Sequence, residues 1–141
     1  MAKFRAHGVD VTIGAADIGG LTSIVTPDRQ RGEAETTDNK SGGDREFLPG
    51  LRDNGTLDLE FRTDVEDAGQ VALRDNFEGD VVEQVVITLP TAAATTTPVT
   101  FTFDAFVTNF QWGEFPQADD EPANGSATLK VDGAVTFDVG T

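Results

Sequence analysis

From Thr56 to Thr63 the chain alternates without a break: Leu57, Leu59 and Phe61 fall on one side, Asp58, Glu60 and Arg62 on the other. A period of two describes a strand with one buried and one solvated face. The pattern recurs where Val9, Val11 and Ile13 alternate with Asp10 and Thr12, and where Ala127, Leu129 and Val131 alternate with Thr128, Lys130 and Asp132. Leu21 to Thr26, Glu83 to Leu89 and Ala134 to Val139 also read as strands. Val99 to Trp112 reads as a long strand with a phase change. Val99, Phe101, Phe103 and Ala105 occupy one face, then Phe106, Phe110 and Trp112 the other. Such a switch predicts a bulge, or a far half covered on both faces. Phe106, Phe110, Trp112 and Phe115 are then either core beneath a helix or a subunit interface, where aromatic residues are enriched.

Only one segment has a helical period. Val65, Ala68, Ala72, Leu73 and Phe77 form a single stripe. The predicted helix runs over about 65–78, with Asp64 as N-cap, Asp67 as its capping-box partner and Gly79 as the C′ residue. Pro90 to Pro98 is a small-residue connector. The class predicted is mainly β: an antiparallel β-sandwich or barrel of about seven to nine strands with one flanking α-helix. The length of 141 residues suits one domain spanning 1–141.

Two segments do not fit a packed body. Residues 1–8 read as a flexible arm, and 26–50 as a long polar loop entered at Pro27 and left at Pro49-Gly50. Within the loop, Glu33 to Thr37 is a possible short polar strand, and Asp38-Asn39-Lys40-Ser41-Gly42-Gly43-Asp44 is charged and flexible. Before Phe47 and Leu48 its sole apolar residue is Ala34. Alone it buries too little to offset its ordering entropy. A loop this long in a compact domain is more often functional than idle.

Charge and composition narrow the function. With 25 acids against 10 bases the formal charge is −15. Grips on nucleic acid need clustered Lys and Arg, so the balance argues against one, and equally against an anionic membrane. It suits a surface that repels polyanions, a salty milieu, or plain solubility. There is no cysteine for a disulfide or a thiolate metal site. The N-terminus leads into no long apolar run, which predicts synthesis in the cytoplasm without a signal peptide or membrane helix.

Candidate chemistry is thin. His7 is the lone histidine and lies in the N-terminal arm. Asp119-Asp120-Glu121 lacks the alternating spacing of a calcium loop. Asp58 and Glu60 are a carboxylate pair without an aromatic groove for a glycosidase. Gly14 to Gly20 lacks the dinucleotide spacing. The reading is therefore of no catalytic residue, cofactor or metal. A β body, a polar loop, an arm and a one-signed charge suit assembly.

The order of several stretches carries a resemblance: Phe47-Leu48-Pro49-Gly50-Leu51-Arg52-Asp53-Asn54-Gly55-Thr56-Leu57-Asp58-Leu59-Glu60-Phe61, Asp67-Ala68-Gly69-Gln70-Val71-Ala72-Leu73, Phe101 to Phe110 and Ala127 to Val135. Asp17 to Ile24 and Glu35 to Asp38 sit in the matching order. The chain resembles the tail tube proteins, or major tail proteins, of long-tailed bacteriophages. The resemblance implies a virion structural protein assembled in the host cytoplasm. Its copies would form stacked rings, usually hexamers, around a channel that passes DNA without binding it. Tape-measure and terminator proteins would be partners. It also implies a lumen-facing sheet, for which Asp58, Glu60, Thr128, Lys130 and Asp132 are candidates. Inter-subunit contacts would come from the arm and the loop, with Asp38, Asn39, Lys40, Ser41 and Asp44; Phe106, Phe110 and Trp112 are the inter-subunit candidates that their aromatic character adds. The competing readings are a contractile-tail or secretion-system tube protein, and a monomeric β-sandwich module that binds carbohydrate or calcium.

Overall fold

The computed structural model describes residues 8–40, 42–79, 81–90, 99–117 and 121–138. Among these are nine strands and one helix. They are β1 (Asp10–Ile13), β2 (Ala16–Asp17), β3 (Leu21–Val25), β4 (Gln30–Glu35), β5 (Phe47–Asp53), β6 (Thr56–Arg62), α1 (Ala68–Glu78), β7 (Glu83–Thr88), β8 (Thr100–Glu114) and β9 (Asn124–Asp138). Seven strands form one sheet in the order β2-β1-β7-β8-β9-β6-β3, while β4 and β5 pair only with each other. Every ladder is antiparallel. The large sheet curls into a half-barrel, as expected for a mainly β chain with one helix.

Alternation dictates the core. Leu57, Leu59 and Phe61 of β6 are buried, and so are Val85 and Ile87 of β7 and Leu129 of β9. Asp58, Glu60 and Arg62 are exposed on the opposite face. The helix packs across the apolar face against β8, β1 and β2. It approaches so closely that a Cβ on Gly69 would stand 2.4 Å from the Asp17 carbonyl oxygen, so only glycine fits there.

The helix starts later than the sequence predicts. Its N-cap is Asp67, whose Oδ2 accepts from the Gln70 amide at 3.0 Å, rather than Asp64. Asp64 instead closes a local turn by accepting from the Glu66 amide. The same Asp67 Oδ2 accepts from the Gly19 amide at 3.1 Å, so the cap also ties the helix to the β2–β3 turn. That tertiary bond favours Asp67 over an equally plausible Asp64. The buried face also differs from the predicted stripe. Gly69, Gln70, Leu73 and Asn76 are buried, whereas Val65 and Phe77 are exposed.

The buried polar residues are satisfied. Gln70 donates to the carbonyls of Gly19 and Arg62, both at 2.9 Å, and accepts from the Asp64 amide. Asn76 accepts from the Val107 amide and donates to the Val81 carbonyl, pinning β8 to the segment after the helix. Each fills a gap that a buried strand or helix end would leave unpaired.

Segment 26–50 is not the structureless loop expected. Most of it belongs to a β-hairpin whose strands β4 and β5 extend to Asp53, and the Pro49-Gly50 exit lies inside β5. Pro49 is tolerated because this two-stranded ribbon has free edges. Polar composition hid the strands: every residue of β4 and β5 is exposed, so no inward face imposes alternation.

Candidate assembly surfaces

The solvated face of the large sheet is set by register. Asp58 pairs with Thr128, Thr56 with Lys130 and Glu60 with Ser126 across β6–β9. On the other side of β9, Lys130 pairs with Phe106 and Asp132 with Asp104. The five residues expected to face a lumen, Asp58, Glu60, Thr128, Lys130 and Asp132, therefore share one face. Thr128 Oγ1 donates to Asp58 Oδ1 at 3.0 Å. Lys130 Nζ lies 2.6 Å from Asp53 Oδ1 at the foot of the hairpin. That contact, then the Gly55 amide, holds the Asp53 carboxyl below the usual carboxylate range. The structure adds Asp104, directly opposite Asp132. Its alternation with Phe103 and Ala105 was readable, but its adjacency to β9 was not.

The aromatic residues of β8 do not form the single second-face cluster considered above. The register shifts between Val107 and Asn109, just beyond the phase change expected after Ala105. The bulge returns the later residues to the core side. Phe110 stacks on buried Phe61 with centroids 6.2 Å apart, and Trp112 meets Phe110 edge-on at 5.0 Å. Phe106 alone of the three stays on the polar face, 38% exposed, and Phe115 is exposed beyond the strand end.

The hairpin is the second surface. Asp38, Asn39, Lys40 and Asp44 lie at its tip and are exposed, while Ser41 lies outside the described residues. So do arm residues 1–7 with His7, and Asp119 and Asp120 of the acidic loop. Phe47, Leu48 and Leu51 are exposed on β5, Leu51 at 93%. A two-stranded hairpin that leaves its apolar side chains exposed is marginal in water.

No protein-family model matches the sequence, and no curated protein is detectably similar to it. Solved structures do match. A chain in the sheath/tube terminator of an extracellular contractile injection system, PVC, superposes with a TM-score of 0.77 at 18% identity, over 99% of each chain. A chain in the virion of a gene transfer agent gives 0.73 at 14% identity, over 97% of this chain and 100% of that one. The SPP1 tail tube gives 0.64 at 14%, over 93% of this chain and 77% of that one. The chain has the tail-tube fold. The likeness covers nearly its full length, hairpin included, and spans phage-type and contractile assemblies alike.

Within the tail-tube fold the described residues gather no group of three His, Cys, Asp or Glu side chains able to hold a metal ion. No helix among them is long and apolar enough to cross a membrane. The sheet face carries Asp58, Glu60, Asp104 and Asp132 around a single lysine, Lys130, with Arg62 at its end. What such a face does chemically is repel anions.

Proposed function

We propose that this chain is a non-catalytic tube subunit. Its copies associate into stacked rings, six to a ring, around a channel that conducts DNA. The carrying observation is the tail-tube fold over nearly the whole length, joined to a hairpin whose strands β4 and β5 pair only with each other and bury no side chain among the described residues. Residues 1–141 act as one unit, with 1–8 and the hairpin as its reaching parts. The polar sheet face, with Asp58, Glu60, Thr128, Lys130 and Asp132, lines the lumen. Its acids keep phosphate from adhering, because a basic lining would release counterions and hold the duplex. Hairpin-tip residues Asp38 to Asp44 contact a neighbouring copy. Tape-measure and terminator proteins set the length and end of the tube.

Negative-stain microscopy of the purified chain tests this directly: rings or hollow tubes are expected. A stable monomer whose melting temperature rises with calcium or sugar would instead establish the ligand-binding alternative. Replacing Asp58 and Glu60 by lysine tests the lumen assignment. Tubes should still form, and DNA should be retained in them. Normal DNA ejection through such tubes would place those residues elsewhere.

A further inference from the structure

The ten basic residues are unevenly placed. Segment 28–53 holds five of them, Arg29, Arg31, Lys40, Arg45 and Arg52, against seven acids. Residues 54–138 hold three, Arg62, Arg74 and Lys130, against sixteen acids. The hairpin is thus nearly balanced while the body is strongly anionic.

Within the hairpin two guanidiniums stand apart. Arg29 donates to Asn54 Oδ1 at 2.8 Å, and Arg45 lies 3.9 Å from Glu35. Arg31 and Arg52 are direct cross-strand partners, so their side chains emerge side by side on one face. Among the described residues neither makes an ion pair or a side-chain hydrogen bond. Glu33 follows two residues along β4, across a shift of register, and bonds to neither. Like charges directly opposite destabilise a ribbon, and no side chain of β4 or β5 is buried to offset that. Arg52 also borders a hollow of about 380 Å³, whose lining includes Leu51, Asn54, Lys130, Val131 and Ala134. Lys130 is already paired with Asp53. The free positive charge at this hollow is that of Arg52, with Arg31 beside it, and the walls are partly apolar.

We propose that the foot of the β4–β5 hairpin, centred on the Arg31–Arg52 pair, docks an acidic, partly apolar segment of a second copy of this chain. This rests on the reading that copies associate, and it names the device that draws them together. A guanidinium pair accepts carboxylates in a two-pronged geometry. The matching charge is abundant on the body of the same chain. The exposed Leu51 beside Arg52 favours a protein surface over the phosphates of a nucleic acid.

The test uses the full chain and its Arg31→Glu/Arg52→Glu variant, compared by sedimentation velocity and negative stain across ionic strengths. Both residues are exposed, so the variant should melt with the wild type. Its self-association should weaken about tenfold or more, because like charges now meet across the contact. Arg31→Lys/Arg52→Lys, which keeps charge but loses the fork, should fall between. If the wild type assembles and the reversal variant assembles equally well, the docking site is wrong while the tube reading stands. A wild type monomeric under every condition overturns both. A duplex oligonucleotide that binds the wild type and not the reversal variant would make phosphate the partner and overturn the carboxylate assignment.

Discussion

The β6 strand and the β5 strand are seven residues each, separated by a two-residue turn, yet they live under different physics. In β6 every second side chain is buried, and its hydrogen bonds run to β3 and β9 on either side. In β5 every side chain is exposed and only β4 pairs with it. The first strand is held by its own chain. The second is held by one ladder and, on the reading above, by another molecule. Folding stability should therefore be sensitive to changes in the body and nearly indifferent to changes in the hairpin, while association should behave the other way.

The largest expected effect is on the body. Phe61→Ala removes a fully buried ring stacked on Phe110 and should cost about 3–5 kcal/mol in urea unfolding. Gln70→Leu keeps the volume and removes three hydrogen bonds to backbone groups of Gly19, Arg62 and Asp64. It should cost about 1–3 kcal/mol, and a neutral result would show that water replaces the amide. Leu51→Ser should leave folding within about 0.5 kcal/mol of the wild type, since the side chain is 93% exposed. A large loss there would mean that the hairpin packs on its own body, erasing the contrast between the two strands. Deleting 38–44 should likewise leave a folded chain that fails to form tubes, read by melting and by microscopy together.

The smallest effect is at the junction of the two regions. The Asp53 carboxyl titrates lower in the folded chain than in the unfolded one, through Lys130 and the Gly55 amide. Its contribution is complete above the unfolded value of about 3.9 and is lost as pH falls through the folded value. Both partners are solvent-exposed, so the effect is small and fades with salt. Carbon-detected titration of Asp53 should show the lowered midpoint, and Lys130→Met should return it toward the ordinary one.

Much of the body was legible because burial writes itself into sequence. Where one face is dry and the other wet, as in β1, β6 and β9, alternation follows, and even the β8 bulge appeared as a phase change. The hairpin was largely illegible for the converse reason: with no dry face, β4 and β5 carry no alternation, so that only Glu33 to Thr37 suggested a strand and the rest passed for loop. The helix cap was ambiguous because Asp64 and Asp67 are equivalent in local chemistry. The burial of Gln70 and Asn76 was not legible, since nothing local announces that their partners lie on the β2–β3 turn, β6, β8 and the segments beside the helix.

By itself the sequence determined the β character, the inward set of Leu57, Leu59 and Phe61, the single helix and the strong negative charge. These follow from local period and composition. Only the tertiary structure decided that Asp58, Glu60, Thr128, Lys130, Asp132 and Asp104 share one face, that Phe110 turns inward while Phe106 does not, and that Arg31 and Arg52 stand together with no ion pair among the described residues. Those facts depend on register between strands distant in the chain. Register is set by the sum of many cross-strand contacts, which no local stretch contains.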